Sequence, residues 1–122
     1  MNIRNLKLND RVIKALKNKF NWAFFAEGVA KISETPSGGI GSFGKIAIKP
    51  CVSFEILISR IYVMITLGEY AKGCVIHFHF MNSHIPKTSE ASRAKIVKDL
   101  YDKVFDVCQE ASGDVELGRS ST

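Results

Sequence analysis

Val52-Ser53-Phe54-Glu55-Ile56-Leu57-Ile58-Ser59-Arg60-Ile61-Tyr62-Val63-Met64-Ile65-Thr66-Leu67 decides the fold. Val52, Phe54, Ile56 and Ile58 recur with the period of two that turns alternate side chains of a strand to one face. After Arg60 the apolar phase slips by one residue, to Ile61, Val63, Ile65 and Leu67. A slip of one exchanges the two faces, so Ser59 and Arg60 mark either a β-bulge in one bent strand or a tight connection between two strands. The absence of Gly and Asn at these positions favours the bulge.

Downstream, Gly68 to Gly73 reads as a hairpin loop and Cys74 to Met81 as the strand that returns from it. Upstream, Ile46 and Ile48 alternate with Lys45 and Lys49, and Pro50 ends that strand or opens the next at an edge. Before the glycine-rich break from Pro36 to Gly44, Trp22, Phe24, Ala26, Gly28, Ala30 and Ile32 alternate with Glu27 and Lys31 as a further strand.

At both ends the period changes to 3.6. Val12, Ile13, Leu16 and Phe20 share a face near the start; Val97, Leu100, Val104, Val107, Cys108 and Ala111 do so near the end, with Gly113 as the stop. The expected order is α-β-β-β-β-α. Two helices with one apolar stripe each are buried simply on one face of an antiparallel sheet, which predicts an α+β fold in two layers. The sheet is a four- to five-stranded meander flanked by the N- and C-terminal helices. Residues 1–113 form the expected domain, and 114–122 a flexible tail.

The 122 residues, 46% of them hydrophobic, suffice for one core and exclude a multidomain enzyme. No apolar run approaches the roughly 20 residues of a membrane span, and Met1 to Arg11 is too charged for a secretory core, so a cytoplasmic location is expected. Cys51, Cys74 and Cys108 are odd in number and widely spaced, which reads as buried thiols rather than a disulfide or zinc framework.

The net charge of +5 lies entirely in residues 1–19, where Arg4, Lys7, Arg11, Lys14, Lys17 and Lys19 meet only Asp10. On one continuous helix Arg4, Lys7, Arg11 and Lys14 form a stripe opposite the apolar face. If Asn9 or Asp10 instead caps a shorter helix, Arg4 and Lys7 fall on a mobile arm. An unrelieved stripe of like charges favours an anionic partner. The later helix carries its charge the other way round from what its dipole favours: Lys87, Arg93, Lys95 and Lys98 come early, and Asp99, Asp102, Asp106 and Glu110 late.

Three motifs hint at other chemistry. Gly39-Ile40-Gly41-Ser42-Phe43-Gly44-Lys45 spells two nucleotide-binding patterns, but both need the loop to open a helix, and Lys45 to Lys49 alternates as a strand. Gly39, Gly41, Gly44 and Lys45 are therefore read as a hairpin loop that an anion or a partner could touch. His77 and His79 share one strand face, and with His84 could hold a divalent ion if a third ligand, His84 or Glu55, converges. Phe25, beside the basic segment, is the aromatic best placed for a surface role.

No catalytic triad, His-Glu-x-x-His or paired-carboxylate pattern is present. The sequence therefore favours a small binding protein over an enzyme, with no cofactor. It would act as an adaptor, regulator or inhibitor that presents Arg4, Lys7, Arg11, Lys14, Lys17 and Phe25 to an acidic protein surface. The alternatives are sequence-independent nucleic-acid binding by the same residues, and metal-dependent hydrolysis at His77, His79 and His84. An open meander also has two edges through which two copies could pair.

Overall fold

The computed structural model describes residues 1–20, 25–34, 45–58, 61–70, 72–81 and 90–120. In chain order these form β1 (Asn2–Arg4), α1 (Asp10–Lys19), β2 (Phe25–Glu34), β3 (Lys45–Ile58), β4 (Ile61–Tyr70), β5 (Gly73–Met81), α2 (Glu90–Ser112) and β6 (Gly118–Ser120). The four long strands make the expected antiparallel meander, and the two three-residue strands widen it to six in the order β2-β3-β4-β5-β1-β6. None of the described helices is long and apolar enough to cross a membrane.

Ser59 and Arg60 lie outside the described residues, but Ile58 and Ile61 are register partners and β3 and β4 run antiparallel from there, so the chain reverses between them and does not continue through a bulge. Opposed residues share a face, so a two-residue connection must move the apolar set from even numbers to odd ones. Pro50 neither ends nor begins a strand; β3 runs through it, with Val29 of β2 as its partner. The next reversal is also tighter than expected: Tyr70 pairs with Gly73, and Gly68 lies inside β4.

One sheet face is core. Val52, Phe54 and Ile56 of β3, Ile61, Val63, Ile65 and Leu67 of β4, and Cys74 and Ile76 of β5 are buried with Val12 and Leu16 of α1 and Leu100, Tyr101, Val104 and Cys108 of α2 in a single cluster. The rings of Phe20 and Phe54 stack at 4.8 Å and seat the end of α1 on β3. Tyr101 donates its hydroxyl to the Asn2 carbonyl at 2.7 Å and ties α2 to β1. The α+β arrangement, with helices covering one face of an antiparallel sheet, follows from the two apolar stripes.

Two further corrections concern the ends. The helix begins at Asp10, with the Asn9 side chain accepting from the Val12 amide at 3.0 Å, so Arg4 and Lys7 are not on it. Arg4 is not on a mobile arm either, since β1 lies between β5 and β6 with Ile3 fully buried. The second correction is to the expected tail. Leu117 is 7% exposed, and Gly118 to Ser120 pair with β1. Gly113 does stop α2, with φ of +66°.

Candidate functional site

Arg4, Lys7 and Lys72 lie at the end of the sheet where β1 meets the β4–β5 turn, and Arg11, Lys14 and Lys17 follow along α1. β1 is followed by Asn5 at φ +67°, a conformation Asn tolerates better than most residues. The Asn5 amide donates to the Lys72 carbonyl at 2.9 Å, and its side-chain amide donates to the Glu116 carbonyl at 3.2 Å. Leu6 and Leu8 then turn into the core and leave Lys7 exposed between them. The Leu8 amide donates to Glu69 Oε1 at 3.1 Å, which fixes the approach to α1.

Arg4 sits on the uncovered sheet face between two glycines, its register partners Gly73 and Gly118. Its guanidinium lies so close over Gly118 that a Cβ there would be 2.8 Å from Nε and Nη2. Arg11 reaches toward the end of α2, its Nη1 3.4 Å from where a Cβ on residue 113 would stand. That places a cation at the negative end of a helix whose last turn has no basic residue. Lys14 and Lys17 are exposed on α1.

The stripe expected on one helix is therefore spread over β1, the β1–α1 connection and α1. Lys72 joins it, brought there by the pairing of β1 with β5. Sequence reasoning missed Lys72, although its place in the short Gly68–Gly73 hairpin was the available signal. Arg4, Lys7, Arg11, Lys14 and Lys72 make no ion pair among the described residues. Asn2, Arg4, Tyr70, Lys72 and Gly73 line a depression of about 60 Å³, into which a carboxylate group fits. A larger open groove of about 430 Å³ separates α1 from α2, lined by Ala15, Asn18, Lys19, Val107, Glu110 and Ala111, and brings together no nucleophile and base.

His77 and His79 are exposed on the uncovered face, as the alternation of β5 requires. Their register partners are Thr66 and Met64, and Met64 also separates His79 from Glu55. Two ladder steps put Glu55 about 10 Å from His79, too far to share an ion without rearrangement. Among the described residues no three His, Cys, Asp or Glu side chains converge on a metal position. His84 and the glycines Gly39, Gly41 and Gly44 lie outside the described residues. Lys45 opens β3 opposite Glu34, and Phe25 opens β2 opposite Phe54.

Cys74 and Cys108 are buried as expected but Cys51 is only half-buried, and the two core thiols offer no nucleophile. Burial, reinforced by Cys108 and Glu69 and opposed by Lys7, pushes the Cys74 thiol far above its ordinary range, and Cys74 donates weakly to the Leu6 carbonyl at 3.6 Å. Burial pushes Cys108 up to about 12. A thiol held protonated through the neutral range is inert as a nucleophile or metal ligand.

No family model, no curated protein and no solved structure matches this chain.

Proposed function

We propose that the protein is a small binding protein that docks an acidic protein surface with its cationic end, a carboxylate of the partner entering the depression between Arg4 and Lys72. The observation that carries this reading is that Arg4 and Lys72, from distant parts of the chain, line one depression together with Tyr70, with no carboxylate of the described residues paired to either. Lys7, Arg11 and Lys14 extend the positive field along the approach and raise the encounter rate with an acidic partner. A partly mixed rim favours a protein over a polyphosphate strand. Asp10, Asp114 and Glu116 are exposed in the same region, and Asn5 holds the Glu116 backbone beside β1. Those carboxylates would interrupt a continuous run of phosphate contacts, whereas a protein surface can answer each sign with its opposite.

The test titrates the protein with polyglutamate and with single-stranded and duplex oligonucleotides of matched charge across a salt series. The expected result is polyglutamate binding that weakens with salt and is lost when Arg4→Glu and Lys72→Glu are combined. Tighter binding of oligonucleotide, weakening log-linearly with salt, would replace the protein partner by nucleic acid. Binding of neither at low salt would remove the cationic end as a docking site.

A further inference from the structure

The cationic end leaves unexplained the rest of the sheet face that no described helix covers. Three successive rows cross β3, β4 and β5 on that face: Leu57–Tyr62–Met81, Glu55–Met64–His79 and Ser53–Thr66–His77. Leu57 is 47% exposed, Tyr62 49% and Met81 36%, so the first row is a band of large apolar side chains open to solvent. In the nine positions Glu55 is the only carboxylate, and there is no lysine or arginine. Contiguous exposed apolar surface of this kind marks an interaction site.

We infer that this face pairs with the same face of a second copy, about a two-fold axis parallel to β4. Two observations select that occupant. Each chain carries +5, and the nine positions hold neither lysine nor arginine, so two copies can bring these rows together without setting cation against cation. A two-fold along β4 exchanges β3 with β5. Leu57 then meets Met81 of the second copy, Tyr62 and Met64 meet their own equivalents, and Glu55 meets His79 of the second copy, whose imidazole N–H it accepts. The rows are thus self-complementary in polarity and in charge, as an isologous interface requires.

The size is adequate. Three strands about 4.8 Å apart and seven residues at about 3.4 Å give roughly 340 Å² in projection, which side-chain relief raises toward the roughly 600 Å² per partner at the low end of protein–protein interfaces, suited to pairing at micromolar concentration. Two sheets packed face to face about 10 Å apart, strands within about 30° of parallel, are a standard way to bury such faces.

Sedimentation equilibrium of the full chain at micromolar concentration tests this. The expected mass is twice 13.6 kDa for the wild type and 13.6 kDa for Tyr62→Glu. Glu55→Lys is expected to weaken pairing about tenfold or more, and Glu55→Lys combined with His79→Glu to restore it, because each lysine then faces a glutamate. Far-UV circular dichroism checks that the variants fold; should Tyr62→Glu fail to, Leu57→Lys on the same row replaces it. A monomeric wild type, a dimer unaffected by the row variants, as edge-to-edge pairing would give, or a failure of the double variant to recover would each overturn the proposal.

Discussion

Replacing Gly73 by alanine probes the joint on which both the fold's last two strands and the cationic end depend. A Cβ at residue 73 would stand 2.2 Å from the Ile3 carbonyl oxygen and 2.9 Å from Arg4 Cα and Asn5 N. All three are backbone atoms of β1 or its exit, so no side chain can simply swing away. Carbon and oxygen need about 3.3 Å, so β1 must withdraw by about 1 Å, enough to break its ladder with β5. The φ of +149° at Gly73 adds about 1–3 kcal/mol of strain for any L side chain. Losing the seating of Ile3, which is fully buried, adds about 2 kcal/mol.

The sum is about 3–5 kcal/mol out of a total stability of about 5–15 kcal/mol for a domain of this size, or a fall in Tm of about 10–20 °C. Urea unfolding measures it. Gly68→Ala is the matched control, because its added Cβ meets nothing within 4 Å. It should leave stability unchanged or raise it by up to about 1 kcal/mol, since glycine inside a strand costs chain entropy that alanine does not. Loss of under 1 kcal/mol in Gly73→Ala, or equal effects of the two alanines, would refute the close approach of β1 to β5. Because Arg4 lies opposite Gly73 and the neighbouring Lys72 carbonyl accepts from the Asn5 amide, the same variant should also weaken polyglutamate binding.

Four other substitutions or conditions read out separate contacts. Asn9→Ala removes the acceptor for the Val12 amide and should cost about 1 kcal/mol in urea unfolding. Tyr101→Phe leaves the Asn2 carbonyl without its hydroxyl donor and should cost about 1–2 kcal/mol by the same assay. Arg119→Gln removes partly exposed pairs to Asp102 and Asp106 and the stacking on Phe105, so solvent screening limits the loss to about 0.5–1.5 kcal/mol, with faster amide exchange in β6 as the local sign. The raised pKa of Cys108 sets the direction of an alkaline effect. Its stabilising contribution is complete below the unfolded value near 9 and declines as pH rises toward about 12, while iodoacetamide at pH 8 should modify Cys74 and Cys108 only after unfolding.

The meander was legible because seven residues of clean alternation in β3 and another seven in β4 leave little freedom in which faces are buried. Its turn was misread for a local reason: a bulge and a two-residue connection both shift the phase by one, and Ser59-Arg60 carries none of the residues that favour tight hairpins, so composition alone decided for the bulge. β1 and β6 were not legible. Three residues cannot show a period, and Asn2-Ile3-Arg4 continues plausibly into the basic helix beyond it. The Asn9 cap was readable, and taken at face value it separates Arg4 from the helix. The association of Arg4 with Lys72 was not, because it exists only once β1 has paired with β5 across some seventy residues of sequence.

The reversed charge order of α2 has a structural answer in those same short strands. Asp102 and Asp106 add negative charge along the C-terminal half of a helix whose last turn has no basic residue, which the dipole penalises. Arg119 returns from β6 to pair with both, and its guanidinium lies 4.3 Å from the centroid of Phe105 and 5.7 Å from that of Tyr101. Arg11 approaches the helix end at Gly113 from α1. The acids of α2 therefore act as the anchor that holds a three-residue edge strand too short to persist on its own ladder. β6 in turn presents Gly118, the surface on which the Arg4 side chain rests, and β1 presents Arg4 beside Lys72. The side chains that make this end of the molecule positive are thus placed by carboxylates on the opposite layer. Removing those carboxylates would raise the net positive charge and still loosen the support beneath Arg4.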